Sequence, residues 1–421
     1  MKRKLLVLLI SILGISLNSN AAHFEVLVNG NTLYFNITSH TSKTVEVTCQ
    51  TSNFPYWYTK PTDSIMIPNT VENNGIIYSI TSIGDIAFTG CSDITYVELP
   101  NSITSIGDHS FSNCSSLISV NIPSSVTLIK ACAFYECTSL SSIIIPNSVN
   151  TIEPSTFSGC TNLTVIIVPN SITSIKSSAF SGCSNLTSIN LPNSIDTIGE
   201  YVFSGCTSLI STNLPISITS IEYRLFYGCS SLTSIDLPES ITKISDYAFY
   251  GCSSLSSINL PESITTILDY AFSGCISLAS ITSNAIIPPT LQINSFKEVP
   301  KTIPINVPCS SLQLYQTANV WKKFTNYQCF GIGINEIINQ ELQTKLYPNP
   351  TSSSSRLEIE NVEGKVEITI TDISGRVIQR MSTRVNSKFE TTLDLTNQSK
   401  GIYFISIVTE KTKRTEKLIL K

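Results

Sequence analysis

Nine cysteines, Cys91, Cys114, Cys137, Cys160, Cys183, Cys206, Cys229, Cys252 and Cys275, recur every 23 residues without an insertion or deletion. A fixed period of this length makes each unit one supersecondary turn that cannot bury its apolar face alone, so neighbours must stack into a continuous core. Most of the 421-residue chain is therefore expected to be a solenoid, with its function on a surface. A Phe precedes each Cys by three residues, from Phe88 to Phe272, and an apolar residue follows by three, from Ile94 to Leu278. Prolines keep the same register from Pro100 to Pro261, each followed two residues later by Ser and three later by Ile or Val.

The segment before each Pro alternates with period two, as in Ile258, Asn259 and Leu260, and reads as a short half-buried strand. Parallel pairing of nine such rungs gives a sheet roughly 40 Å long. The stretch from Ile244 to Cys252 places apolar residues at spacings that fit one or two helical turns, so a strand on one side and a short helix on the other are expected.

The unit L-x-x-I-x-L-P-x-S-I-x-x-I-x-x-x-A-F-x-x-C resembles the leucine-rich repeat of the BspA-like bacterial surface proteins. The resemblance implies an α/β leucine-rich-repeat solenoid of about nine coils over residues 79–283, with its parallel sheet on the concave face. A parallel β-helix is the alternative fold. The repeated Ser, from Ser102 to Ser263, is expected to form a hydroxyl ladder that satisfies backbone groups in the turn after the strand.

Residues 1–22 have a basic start (Lys2, Arg3, Lys4), an apolar run from Leu5 to about Leu17 and small residues at Ala21 and Ala22. That pattern reads as a signal peptide. Residues 342–421 break the repeat and carry 13 Lys or Arg against nine Asp or Glu from 343 onward. Alternating runs there read as a small all-β domain. Tyr347-Pro348-Asn349-Pro350, Ile373-Ser374-Gly375-Arg376-Val377, Gly401-Ile402-Tyr403-Phe404 and the basic end Lys417 to Lys421 resemble the C-terminal sorting domain of the type IX secretion system. The resemblance implies an immunoglobulin-like sandwich, engagement of the type IX translocon, a Bacteroidetes-type cell and a secreted or surface-attached product.

Two caps are expected. Residues 23–78 hold a hairpin signal, His23 to Val28 and Thr32 to Ile37 around Asn29-Gly30-Asn31. Residues 284–341 lose the repeated Cys and Phe but keep an I-x-V-P strand at Ile305 to Pro308 and an aromatic stripe that includes Tyr315, Trp321 and Phe324. Residues 351–355, Thr-Ser-Ser-Ser-Ser, read as a turn or flexible link.

Equivalent positions on stacked rungs point the same way, so the nine cysteines are expected as buried thiols beside the Phe stack. Cys309 and Cys329 flank the aromatic cap and are the best-placed pair for a disulfide, while Cys49 and Cys132 stay unassigned. Three histidines, no G-x-S-x-G context, no C-x-x-C pair and no Gly-rich phosphate loop leave no sign of catalysis, a metal or a cofactor. Residues 79–288 contain 14 Asp or Glu and four Lys or Arg, a balance that repels nucleic acid.

Around the buried strand positions, Ser119, Ser142, Ser188, Ser211, Ser234 and Ser257 on one side and Asn121, Asn190, Asn213, Asp236 and Asn259 on the other make a small polar carpet on the concave face. Ile144, Val165 and Ile167, with Tyr96 on the first coil, interrupt it as an apolar patch suited to a protein partner. The expected function is non-enzymatic adhesion, and the BspA-like resemblance implies host matrix or plasma proteins or other microbial surfaces as partners. A glycan-binding module and a passive surface coat are the alternatives. The polar carpet suits sugars, but the concave face lacks stacked Trp or Tyr platforms.

Overall fold

The computed structural model describes residues 23–53, 56–330, 343–409 and 413–421. The signal-peptide reading of residues 1–22 lies outside the described residues. The chain divides into two compact units, one up to residue 331 and one from residue 332.

The first unit opens with strands His23–Val28 and Asn31–Ser39, joined by Asn29 and Gly30, both at positive φ. That two-residue turn matches the twist of antiparallel strands. Thr44–Thr48 extends the hairpin and then pairs in parallel with Ile76–Ile83, where the solenoid begins. The antiparallel cap thus hands its free edge to the first coil.

Two parallel rows of short strands run along the solenoid. One row contains the predicted strands, including Ile94–Glu98, Ser119–Asn121, Ser142–Ile144, Val165–Ile167 and Ser257–Leu260. Each pairs with its counterpart one repeat away, as Ser142 with Val165 and Ile144 with Ile167. The second row is built from the residues after the Pro-x-Ser turn, such as Thr151–Ile152, Ser174–Ile175 and Thr197–Ile198.

The expected helical stretch is a stack of turns instead. One residue per rung there has a left-handed φ: Ile86, His109, Cys132, Ser155, Ser178, Tyr201, Arg224, Tyr247 and Tyr270. Four residues later comes a second one, usually Gly, as at Gly251. Two left-handed residues per turn are incompatible with an α-helix. Backbone donors follow the same logic, because alternate amides bond within the turn and to the next rung: Ala248 N–H to Ser245 at 3.3 Å, Phe249 N–H to Ala271 at 2.8 Å. The apolar spacing was compatible with a helix, but stacking satisfies these amides across coils. Among the described residues the single α-helix is Leu312–Thr317, in the cap.

The Phe rings form one column, Phe88 to Phe272, with centroids 5.1–5.9 Å apart and planes within 12° of parallel. Phe296 continues it, 4.9 Å beyond Phe272. The repeat therefore runs one coil past residue 283, with Phe296 24 rather than 23 residues after Phe272. One inserted residue hid this coil from the fixed-period reading. The chain's two tryptophans close the column, Trp57 at 6.2 Å from Phe88 and Trp321 at 5.9 Å from Phe296. Each buries its ring and donates its indole N–H to a carbonyl, Trp57 to Ala87 at 3.1 Å and Trp321 to Pro289 at 2.9 Å. A buried indole needs such a partner.

Beside the rings, each Cys from Cys114 to Cys275 donates its S–H to the Phe carbonyl of the preceding rung, at 3.0–3.2 Å. Burial pushes the thiols of Cys114, Cys160, Cys206 and Cys275 up to about 12. They stay protonated and unreactive at neutral pH. Of the 11 free cysteines only Cys132 is partly exposed. A thiol reagent applied to native protein at pH 8 should modify Cys132 promptly and the others only after unfolding; rapid labelling of several thiols would contradict this packing.

The serine ladder forms as expected. Ser125, Ser148, Ser171, Ser194, Ser217, Ser240 and Ser263 each donate to a carbonyl of the preceding rung, at 2.5–2.7 Å. Ser102 starts the ladder and its buried hydroxyl has no partner.

Strand Pro304–Pro308 pairs in parallel with Ser280–Ser283 and Asn326–Phe330, and a disulfide joins Cys309 to Cys329. Tyr315 is buried here, and its hydroxyl bonds Ser283 and the Ala285 carbonyl, each at 2.8 Å.

The second unit is an antiparallel sheet of Gln343–Tyr347, Ser354–Asp372, Val377–Asp394, Gly401–Thr409 and Lys413–Leu420. A bulge between Glu360 and Val362 switches the buried positions of the second strand from odd (Leu357, Ile359) to even (Val366, Ile368, Ile370). One extra residue turns every later side chain to the other face. Of the two readings of the Ser-rich entrance, the turn is the one found: Ser352 and Ser353 form a bend between Thr351 and Ser355, which are buried, and Thr351 bonds the Ile419 carbonyl at 2.9 Å. Asn349 of the Tyr-Pro-Asn-Pro segment accepts from the Ile419 amide at 3.0 Å and donates to the Lys417 carbonyl at 2.6 Å, fixing the basic terminal strand. Asp372 Oδ1 accepts from the amides of Ser374 and Arg376 at 2.9 and 3.1 Å, which shapes the Ile-Ser-Gly-Arg turn.

Candidate binding surfaces

The strand row presents two outward columns. Tyr96, Ser119, Ser142, Val165 and Ser188 occupy one in rung order, and Glu98, Asn121, Ile144, Ile167 and Asn190 the other. Ile144, Val165 and Ile167 are 65 %, 55 % and 53 % exposed. Their inward neighbours Ile143 and Ile166 are buried, which holds the outward residues on one face. Ile144 lies directly opposite Ile167, so these three residues form one contiguous patch on two rungs.

Tyr96 does not join it. It is half-buried and aligned with Ser119, which puts a polar rung between Tyr96 and the coil of Ile144. Ile118, 51 % exposed immediately before the intervening strand, is an apolar residue absent from the sequence-based set. The signal was present, since other rungs mostly carry Ser or Thr at that position.

The polar carpet is uneven in chemistry. Asn213 is spent on the neighbouring rung, accepting from the Leu191 amide at 2.9 Å and donating to its carbonyl at 2.6 Å. Its side chain replaces ladder bonds where strand Ser211–Thr212 ends. Asn259 accepts from Asn284 at 3.4 Å. Asn121, Asn190 and Asp236 are exposed and are the polar members of the carpet best able to meet a ligand.

A cleft of about 360 Å³ lies where the N-terminal hairpin meets the first coils, lined by His23, Glu46, Cys49, Asp85 and Lys130 among others. Its charged groups and His23 already have partners. Lys130 bridges Asp85 at 3.0 Å and Asp108 at 3.5 Å, and Asn36 links His23 at 3.1 Å to Glu46 at 3.2 Å. Burial raises the Asp85 carboxyl, but the hydrogen bonds from Lys130 and the Asp108 amide outweigh it and hold the group below its ordinary value. Among the described residues no group of three or more His, Cys, Asp or Glu is arranged to hold a metal ion, and no helix is long and apolar enough to cross a membrane.

Sequence comparison agrees with this architecture. Six copies of the BspA type leucine-rich repeat region match residues 81–210 and 173–301, more than half of the chain. The chain belongs to the BspA-type leucine-rich repeat family. A secretion system C-terminal sorting domain matches residues 345–421, so this family member is an exported protein destined for attachment at the cell surface or for secretion.

No curated protein sequence matches the chain. Among solved structures, a leucine-rich repeat protein of T. pallidum is 26 % identical, with 52 % of this chain and 86 % of that one covered and a TM-score of 0.37. A leucine-rich repeat protein of Bacteroides ovatus is 25 % identical, covering 71 % and 98 %, with a TM-score of 0.30. A leucine-rich cell surface protein of Faecalibacterium prausnitzii is 24 % identical, covering 60 % and 93 %, with a TM-score of 0.34.

Proposed function

We propose that this BspA-type protein is a non-enzymatic adhesin that holds a protein partner on its strand row. In this reading a signal peptide and the type IX sorting domain deliver it to the cell surface. The supporting observation is the patch of Ile144, Val165 and Ile167, three branched aliphatic side chains more than half exposed on adjacent rungs. Covering each would contribute on the order of 1–2 kcal/mol. Ser142, Asn121 and Asn190 stand around them as a hydrogen-bonding rim, the usual anatomy of a protein interface. The acidic balance of residues 79–288 favours a neutral or basic partner. Host matrix or plasma proteins and the surfaces of other microbes are the proposed partners.

The test is binding of the mature protein to immobilised matrix and plasma proteins beside a glycan array. An Ile144→Asp/Ile167→Asp variant should lose saturable protein binding by roughly 10- to 100-fold, because two charges would be buried without partners. Its unfolding transition should barely move, since both side chains are exposed. Undiminished binding by the variant would remove the strand row from the site.

A further inference from the structure

Four consecutive rungs carry an aromatic cluster that the repeat does not require. At the left-handed position of the turn stack, the first five rungs carry Ile, His, Cys, Ser and Ser; the next four carry Tyr201, Arg224, Tyr247 and Tyr270. Tyr247 stacks on Tyr270 and Tyr227 on Tyr250, each pair with centroids 5.0 Å apart and nearly parallel planes. Tyr223 stands edge-on to Tyr201 and to Tyr247, at 5.2 and 6.1 Å. The Phe column beneath keeps a spacing of 5.2–5.6 Å through the first five rungs, which carry a single tyrosine, Tyr135, at the positions of this cluster. Rung stacking therefore does not explain them.

Arg224 occupies a tyrosine's place in this row. Its guanidinium lies over four rings: Tyr227 at 4.9 Å, Tyr247 at 5.0 Å, Tyr223 at 5.2 Å and Tyr201 at 5.6 Å. Those contacts stabilise the cation but satisfy none of its N–H donors. Its Nε is buried without a hydrogen-bond partner. Among the described residues none of the nearby acids forms an ion pair with Arg224, and three of them have other partners. Glu222 accepts from the Ser220 hydroxyl, Asp246 from the Asp269 amide at 2.9 Å, and Asp269 from the Asn294 amide and side chain at 3.1 and 3.2 Å. The fork is held in place by rings and lacks an acceptor.

We infer that Arg224 and the surrounding tyrosines form a second binding site, separate from the strand row, which receives a single carboxylate side chain of a partner protein. A planar fork matches a carboxylate through two parallel hydrogen bonds. Ring contacts hold it beforehand, so less ordering remains to be done on binding. Tyr and Arg are also the residues that dominate energetic hot spots in protein interfaces. Glu200, Glu222, Asp246 and Asp269 put negative charge on the same turns, so a run of acids on the partner is repelled. One carboxylate set among apolar groups fits both the fork and the rings.

The experiment pans a random phage-displayed peptide library against the immobilised full-length protein. Recovered peptides should carry one Asp or Glu flanked by apolar residues. Changing that residue to Asn or Gln in the synthetic peptide should weaken binding to the unaltered protein by about 10- to 100-fold. Arg224→Gln should lose binding to the same degree, and so should Arg224→Lys, which keeps the charge but not the fork. Ile144→Asp/Ile167→Asp should bind these peptides normally, which separates this site from the strand-row site. No acidic consensus, or equal binding of the Asn or Gln peptide, overturns the inference. Retention of carboxylated glycans that depends on Arg224, without peptide enrichment, overturns the partner class.

Discussion

Replacing Phe180 by Ala is expected to destabilise the solenoid by about 3–5 kcal/mol. Phe180 is fully buried and has a ring neighbour on each side, Phe157 at 5.6 Å and Phe203 at 5.9 Å. Its backbone is pinned to the next rung, Phe180 N–H to the Val202 carbonyl at 3.1 Å. The coils therefore cannot close over the lost ring, and a cavity persists. Because each coil contacts only its neighbours, the damage should appear as a weakened joint near the middle of the array. Chemical denaturation should show a lower midpoint, and hydrogen exchange should show lost protection for rungs around residue 180 first. A loss below about 1 kcal/mol would mean that the column packs far less tightly than its geometry indicates.

Trp321→Ala should cost a similar amount, about 3–5 kcal/mol, but in a different place. Trp321 covers Phe296, packs edge-on against Tyr315 at 5.2 Å and donates to the Pro289 carbonyl. Its backbone carbonyl accepts from the Tyr327 hydroxyl at 2.8 Å, which ties the last strand to the cap. Without the indole, the end of the Phe column and a backbone carbonyl are uncovered together. Fraying should begin at the C-terminal coils and reach residues 260–310 before the middle. Exchange protection lost evenly along the whole solenoid would contradict a cap role. The Cys309–Cys329 disulfide should hold strand Asn326–Phe330 beside Pro304–Pro308 even in this variant, so reduction should deepen the fraying.

The 23-residue period determined much of this protein without help from tertiary information. Identical side chains at identical spacing can be buried only by identical stacking, so Phe, Cys and Leu had to form columns and the alternating I-x-L segments had to pair in register. The serine hydroxyl ladder followed from the same argument. The sorting domain was legible in short motifs, one of which contains Asn349, the residue that fixes the terminal strand; Asp372, which shapes the Ile-Ser-Gly-Arg turn, stands just outside them. Three features were decided only in three dimensions. The Ala-Phe-x-x-Cys segment has helix-like apolar spacing, yet its amides alternate between bonds within the turn and bonds to the next coil, a choice no single repeat contains. The Phe296 coil was concealed by one inserted residue, because a period is read from constant spacing whereas packing tolerates a local bulge. The cluster around Arg224 draws rings from positions as far apart in sequence as Tyr201 and Tyr270, and folding brings them onto one edge because adjacent rungs sit only about 5 Å apart.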